Sequence, residues 1–237
     1  MTGGDLCRDD GGVEVQTGSM FRDRTDAGQS LARMVASRLA QPSSPSGVEG
    51  GLVLGLPRGG VPVAALVAEA LGVPLDVLVV RKIGVPWQPE LALGAVGECG
   101  AVVLNDGVVS ASGVGTEELA ALIRRSSQEV QDFVAQLRPV AGPLDVTGRM
   151  VIVVDDGVAT GATARAAASV LRQSGSGPVI LAAPVAARIT CQSLASSFDE
   201  VICLMTPLRF GSVGQYYERF EQVSIEQVRR LLQGSPA

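Results

Sequence analysis

The 237-residue chain contains no histidine at all. Histidine is the side chain that titrates near neutral pH and the usual base of nucleophilic triads, so its absence excludes acid–base chemistry and triads built on imidazole. The four cysteines are scattered, and no Cys-x-x-Cys pair occurs. A zinc site or a disulfide framework is therefore not expected, and a reducing, cytoplasmic setting is the default.

The sequence also lacks an apolar run long enough to span a membrane, and its N-terminus has neither the basic nor the apolar region of a signal peptide. The formal net charge of −5 argues against broad nucleic-acid binding, although a local basic site stays open. We therefore expect no nucleic-acid partner and no membrane partner.

Apolar residues make up 46% of the chain, which is enough for a full core, and one domain with appendages is the expectation. Residues 1–19 are rich in glycine, aspartate and threonine and show no apolar periodicity. They are predicted to be a disordered leader, and Met20 is a candidate for the true start. The domain would then occupy residues 20–237.

Residues 151–164, VIVVDDGVATGATA, carry the clearest signal in the chain. Four β-branched residues predict a strand buried on both faces of a parallel sheet, and Asp155 and Asp156 end it. Small and hydroxylated residues then lead into an alanine-rich helix from about Ala162. Free backbone N–H groups and the positive end of the helix dipole meet in such a turn, which makes it a candidate anion site.

The two acids cannot bind the anion and must bind a group beside it, which suits the hydroxyls of a sugar phosphate. No lysine follows Gly161, so the turn is not the nucleoside-triphosphate loop, and its glycine spacing differs from the dinucleotide fingerprint. The alternative is an ordinary strand-to-helix turn in which the acids are solvated caps.

Two further strands end in polar groups. Residues 52–56 predict a buried strand that Pro57-Arg58-Gly59-Gly60 follows, before a helix that ends near Gly72. Residues 75–80 predict the next strand, which Arg81 and Lys82 close. Open α/β sheets bind ligands at the carboxyl ends of their strands, so these cations favour an anionic ligand. The alternative for Arg58 is a plain turn with a solvated arginine, and the alternative for Arg81 and Lys82 is a pair of surface cations.

Apolar periodicity predicts most of the other elements. A first helix is expected to be capped by Thr25 or Asp26 and to stop before Pro42. Further helices are predicted at residues 116–137, 162–173 and 190–196 and from Ser224 onward, and further strands at residues 179–183 and 200–204.

Four apolar residues, two acids, a small-residue loop and a Thr-Gly pair resemble the phosphoribosyl-pyrophosphate (PRPP) signature of type I phosphoribosyltransferases. The resemblance implies an α/β fold, with a Rossmann-like parallel sheet flanked by helices, a small hood and a flexible loop or hairpin. The resemblance extends from Phe21 to Leu232 through four further segments: FRDRTDAG, LGLPRGGVPVA, RKIG with PELALGAV, and FGSVGQYY. These segments are similar to the bacterial group known as predicted phosphoribosyltransferases, which defines the donor and leaves the acceptor open.

The resemblance implies a role for each matched residue. The ribose hydroxyls and the 5-phosphate would be bound by Asp155, Asp156, Gly157, Val158, Ala159, Thr160, Gly161, Ala162 and Thr163. The pyrophosphate would be bound by Arg58, Gly59, Gly60, Arg81 and Lys82. The catalytic residues would be Arg58, Lys82, Asp155 and Asp156.

The resemblance also implies Mg²⁺ as cofactor, held indirectly near Asp155 and Asp156, and a mobile loop at about residues 83–105. Residues 83–93 match the position of that loop, and residues 94–105 could form a hairpin around Gly100 that continues it. Glu90 and Glu98 are candidate contacts to the acceptor or the metal, but a solvated role is favoured for both.

The hood and acceptor region would comprise residues 20–50 and 205–237. Its aromatic residues could stack on a planar acceptor, for which Phe210 and Tyr216 are the candidates, or could pack against the sheet, which is the favoured reading.

The implied function is transfer of 5-phosphoribosyl from PRPP to a nucleobase-like nitrogen acceptor with release of pyrophosphate. The protein would then be a pentosyltransferase of nucleotide metabolism. The alternative is a regulatory protein that binds PRPP or a nucleotide without turnover. Dimers are common in the family, so a homodimer stays open.

Overall fold

The computed structural model describes residues 7–8, 14–15, 20–41, 50–138 and 144–234. In chain order the strands are β1 (Cys7–Arg8), β2 (Glu14–Val15), β3 (Leu52–Gly55), β4 (Leu75–Val77), β5 (Val80–Val85), β6 (Gln88–Gly97), β7 (Val102–Leu104), β8 (Val151–Val154), β9 (Val179–Val185) and β10 (Glu200–Met205). The helices are α1 (Arg24–Leu39), α2 (Gly60–Leu71), α3 (Asp106–Ser112), α4 (Thr116–Leu137), α5 (Ala162–Gln173), α6 (Arg188–Leu194) and α7 (Ile225–Gln233). The leader expected at residues 1–19 lies outside the described residues, apart from the short β1–β2 pair.

The main sheet has five parallel strands in the order β10-β9-β8-β3-β4. Every residue of β3, β8 and β9 is buried, because helices cover both faces of the sheet. One core cluster packs under α1 and α2 and a second under α5 and α6. The predicted parallel sheet flanked by helices is confirmed.

The pairing of β3 with β8 sets the position of the turns that follow them. Leu52 pairs with Val151 and Gly55 with Val154, so the two strands run level from end to end. Parallel strands have their carboxyl ends at one edge of the sheet. The Pro57–Gly60 segment and the Asp155–Asp156 pair therefore leave that edge side by side.

A second, antiparallel sheet has the order β5-β6-β7. The single strand predicted at residues 75–80 is wrong, because this segment is divided between the two sheets. Pairing with β3 ends at Val77, and Leu78 and Val79 are a buried link to β5. Arg81 and Lys82 therefore lie inside β5 instead of closing a parallel strand. Residues 83–93, the first part of the expected loop, lie in the β5–β6 hairpin, and the hairpin predicted around Gly100 is confirmed as β6–β7.

Most of the helices lie where the periodicity predicts them, and α4 and α5 have the predicted bounds. The cap of α1 is different: the Asp23 carboxylate accepts hydrogen bonds from the N–H groups of Thr25 and Asp26, the two residues expected to cap the helix. The short α3 was not predicted. No helix of the described residues is long and apolar enough to cross a membrane.

A buried ion cluster joins the two sheets at the end of α4. The Arg138 side chain is 5% exposed; it contacts Glu98 at the β6–β7 turn and lies 3.3 Å from the Asp76 carboxylate in β4. Glu98 also accepts a hydrogen bond from the N–H of Val79 at 3.0 Å. Burial raises the pKa of Asp76, and the Arg138 charge opposes that shift. The expectation that Glu98 is solvated is therefore wrong.

We expect Arg138→Met to destabilise the protein by about 3–5 kcal/mol, because Glu98 and Asp76 would stay buried without their counter-charge. The free energy of unfolding can be measured by urea denaturation. Adding Glu98→Gln should recover part of the loss. The control is Arg125→Met, where an 80% exposed side chain pairs with Glu129 on the surface of α4 and little change is expected. Equal losses in Arg138→Met and Arg125→Met would contradict the role given to the cluster.

Candidate functional site

The turns after β3 and β8 lie in contact with each other. The N–H of Leu56 donates to Val154 O at 2.8 Å, which extends the pairing past the strands. A Cβ atom on Gly59 would overlap the Asp156 carboxylate, and one on Gly60 would lie 2.5 Å from Val154 O. Only glycine allows the backbone to approach this closely. The glycine pair therefore packs directly on the acid pair.

Both acids line this glycine turn, but their surroundings differ. Asp156 Oδ2 accepts from Arg24 Nε at 2.8 Å and lies 2.7 Å from Arg24 Nη2, and both side chains are only 13% exposed. Asp155 Oδ1 accepts from the N–H of Asp156 at 2.9 Å. Burial, followed by the charge of Asp156, raises the pKa of Asp155 well above its usual range. Among the described residues, Asp156 has a cation partner and Asp155 has none.

The loop between β8 and α5 presents three consecutive backbone donors. Among the described residues, no protein group accepts from the N–H of Ala159, Thr160 or Gly161. The carbonyl groups are held instead: Ala159 O accepts from the Thr190 hydroxyl at 2.7 Å, and Thr160 O accepts from Arg165 Nη2 at 2.6 Å. Peptides fixed in this way leave their N–H groups free for an anion.

The other loop residues complete the same turn. Gly157 and Val158 are buried, and the N–H of Val158 donates to Val185 O in β9 at 2.8 Å. Ala162 and the exposed Thr163 form the first turn of α5. All seven residues assigned to the phosphate thus lie on one loop and helix start.

The predicted cation pair points to opposite faces of β5, as neighbours in a strand must. Arg81 Nε lies 2.7 Å from Glu129 Oε2 on α4. Lys82 Nζ lies 3.5 Å from Glu90 Oε2, which is 91% exposed on the hairpin. Lys82 and Glu90 border a cavity of about 520 Å³ that reaches Ala162 at the start of α5. Lys82 therefore faces the side of α5, and Arg81 does not.

Arg58 lies in the turn that follows β3, beside the glycine pair. The peptide bond between Pro57 and Arg58 is cis, which the sequence could not reveal. Within the described part of the chain, its guanidinium forms no ion pair. A cation without a protein counter-charge is available to an anionic ligand.

The aromatic segment after β10 packs on the main core and on the acids. Phe210 and Tyr216 stack on each other with ring centroids 5.4 Å apart. Tyr217 is 3% exposed, and its hydroxyl donates to Asp156 O at 2.5 Å. Burial and the Asp156 charge raise the pKa of Tyr217 above its usual range. Phe220 lies under the Arg24 guanidinium, 3.9 Å from its centre to the ring centroid.

Five residues contact the site although the sequence assigned them no role there: Arg24, Tyr217, Phe220, Arg165 and Thr190. The concentration of aromatic residues after residue 205 was a signal, but it does not say which ring meets which acid. Arg24 had no signal, since it lies 132 positions from Asp156 in the chain.

A metal would have to be shared with a ligand. No group of three or more histidine, cysteine or acidic side chains among the described residues could hold a metal ion. Asp155 and Asp156 supply carboxylate oxygens, which suit Mg²⁺ when phosphate oxygens and water complete its shell. The donor set therefore fits a cation that arrives with a phosphate ligand.

Comparisons with known proteins show the family to which the chain is similar. The family model of the phosphoribosyl transferase domain matches residues 26–204. Two Mycobacterium tuberculosis proteins, from strains CDC 1551 / Oshkosh and H37Rv, are each named "Putative phosphoribosyl transferase" and are 48% identical over 213 residues. That match covers 90% of this chain and 46% of theirs, so the chain spans about half the length of these curated relatives.

A solved structure adds the fold. The crystal structure of TT1426 from Thermus thermophilus has 41% sequence identity and a TM-score of 0.80, over 90% of this chain and 97% of that one. The parallel five-stranded sheet flanked by helices is the type I phosphoribosyltransferase fold. With the domain model matched over residues 26–204, the chain belongs to the phosphoribosyl transferase domain family.

Proposed function

We propose that the protein transfers 5-phosphoribosyl from PRPP to a nitrogen acceptor and releases pyrophosphate. The observation that carries the proposal is the contact between the Gly59-Gly60 turn and the acids Asp155 and Asp156. A turn that could meet a phosphate and carboxylates that could accept from hydroxyls lie side by side there, which supports PRPP as the donor. The enzyme would be a PRPP-dependent pentosyltransferase of nucleotide metabolism in the cytoplasm.

Each end of the donor has its own binding group. The N–H groups of Ala159, Thr160 and Gly161, with the hydroxyls of Thr160 and Thr163, would hold the 5-phosphate. Asp155 and Asp156 would accept hydrogen bonds from the ribose hydroxyls. The donor sugar would then lie across the carboxyl edge of β3 and β8, with its C1 carbon open to attack.

The pyrophosphate would lie on the turn after β3. The N–H of Gly59 would donate to its oxygens, and Gly60, whose own N–H donates to Leu56 O at 3.0 Å, would allow their close approach to the backbone. The charges of Arg58 and Lys82 would offset the charge of the pyrophosphate. Arg81 would contribute only after it leaves Glu129, so we give it the smaller part. Mg²⁺, held near Asp155 and Asp156 through water, would supply further positive charge to the leaving group.

Catalysis would rest on positioning and electrostatics. As the bond from C1 to the pyrophosphate oxygen loosens, the sugar gains oxocarbenium character and negative charge collects on the departing group. The protein holds both ends of the donor, so the sugar is presented to the acceptor in a fixed orientation. A ring nitrogen with a free lone pair needs no base. Glu90, Phe210 and Tyr216 remain the candidate acceptor contacts.

The direct test of the proposed function is release of pyrophosphate. We expect release when the protein is incubated with PRPP, Mg²⁺ and a panel of purines, pyrimidines and small nitrogen heterocycles, with at least one acceptor active. The Asp155→Asn/Asp156→Asn double variant should lose this release, and its PRPP affinity in calorimetry should fall by at least about 100-fold. Asp132→Asn, on the exposed face of α4, is the matched control.

Tight PRPP binding without release from any acceptor would favour a non-catalytic PRPP sensor. Unchanged PRPP affinity in the double variant, with the fold intact by circular dichroism, would contradict the ribose assignment.

The pyrophosphate site can be tested at Lys82, the only lysine in the chain. Lys82→Ala should weaken pyrophosphate binding by about 10-fold or more, because a charge-assisted contact is lost, while ribose 5-phosphate binding changes much less. Calorimetry with each ligand separates the two effects. Arg81→Ala is the comparator and should have the smaller effect. Equal losses for both ligands in Lys82→Ala would contradict its role.

Closure of the β5–β6 hairpin over the donor can be followed by fluorescence. Trp87 is the only tryptophan and lies 62% exposed at the turn of that hairpin. If the hairpin closes over the donor, PRPP with Mg²⁺ should shift its emission to shorter wavelength, since the indole leaves water. Trp87→Phe should abolish the signal. An emission that does not change at saturating PRPP would count against a mobile hairpin.

A further inference from the structure

The Arg24 guanidinium holds one oxygen of Asp156 and leaves the other free. Nε and Nη2 both approach Oδ2, at 2.8 and 2.7 Å, whereas no described protein group donates to Oδ1. The pair is 13% exposed on both sides, so water screens it less than the surface ion pairs. The carboxylate is therefore fixed in orientation while one oxygen remains open to a ligand.

Arg24 is itself held by the segment that follows β10. Its Nη1 donates to Glu221 O at 2.6 Å, and the Phe220 ring lies under the guanidinium. Stacking on a ring and donation in a fixed plane restrict the guanidinium in a way that a flexible ammonium could not match. The Tyr217 hydroxyl holds the backbone carbonyl of Asp156 from the same side.

The two chain segments that carry these groups are bonded to each other. The N–H of Phe21 donates to Tyr216 O at 2.8 Å, and the N–H of Glu218 donates back to Phe21 O at 2.8 Å. Asp23 and Arg219 add an ion pair at 2.6 Å. Residues 21–24 and 216–221 thus form one unit, and Arg24 is its contact with the Asp156 side chain.

We infer that Arg24 is a positioning residue that orients Asp156 so that Oδ1 can accept a hydrogen bond from the donor ribose. The inference rests on the proposed function, because it takes the ribose of PRPP as the ligand of Asp156. Arg24 acts through Asp156, with Phe220 and Glu221 as its anchor. Removing it lets the carboxylate rotate and lowers donor affinity, although Arg24 itself binds no substrate.

Two other roles for the same ion pair give different results. If Arg24 blocked Asp156, its removal would tighten PRPP binding. If the pair served stability alone, its removal would lower the melting temperature and leave PRPP affinity unchanged.

The test measures PRPP affinity by calorimetry and the melting temperature in parallel. We expect Arg24→Gln to weaken PRPP binding by about 10-fold, because the charge-assisted contact between Asp156 and the ribose is weakened when the carboxylate loses its orientation. Arg24→Lys should recover part of this loss, because it restores the charge without the planar fork. Phe220→Leu, which removes only the anchor, should show a smaller loss. The matched control is Arg22→Gln, where a 68% exposed side chain pairs with Asp26 on the surface.

A double-mutant cycle shows whether Arg24 acts through Asp156. In an Asp156→Asn background, Arg24→Gln should change PRPP affinity by less than about 2-fold, because the group that it positions is gone. The same loss in both backgrounds, tighter binding in Arg24→Gln, or no loss in Arg24→Lys and Phe220→Leu would overturn the inference. A wild-type protein that fails to bind PRPP would overturn the proposed function itself.

Discussion

The register between β3 and β8 is the constraint on which the site depends. Gly55 and Val154 are paired, so the two strands end level and their turns meet in contact. A shift of one residue would move one turn by about 3.3 Å and turn every side chain of that strand to the opposite face of the sheet. The packing of buried aliphatic side chains fixes this register, and the register determines whether Gly59 reaches Asp156.

The parts of the molecule that follow local rules could be predicted from sequence. β8 is a short β-branched run, as the centre of a parallel sheet requires, and α5 begins where small residues expose N–H groups to its dipole. The glycines after β3 and the acids after β8 could be placed at one sheet edge, because parallel strands share that edge. Their direct contact follows from the same topology, so the centre of the site could be predicted from the sequence.

Long-range partners could not be predicted. One apolar run, residues 75–80, divides between two sheets, because Glu98 and Arg138 hold the link between them, and this moves Arg81 and Lys82 onto opposite faces of β5. Neither Arg138 nor Arg24 differs in sequence from a solvated arginine. An ion pair between residues 132 positions apart depends on the finished fold, so pattern and propensity carry no trace of it.

The two acids have different tasks in the proposed site: one would hold the sugar in orientation and the other would supply negative charge. Arg24 fixes Asp156 in orientation but offsets part of its negative charge, which a sugar with oxocarbenium character would otherwise feel. Asp155 has no cation partner among the described residues and accepts from the N–H of Asp156, and burial and the charge of Asp156 raise its pKa. A positive centre beside a carboxyl favours the ionised form. In the proposed reaction, the carboxylate of Asp155 would stabilise the positive charge that develops on the adjacent sugar, while Asp156 would keep the sugar in place.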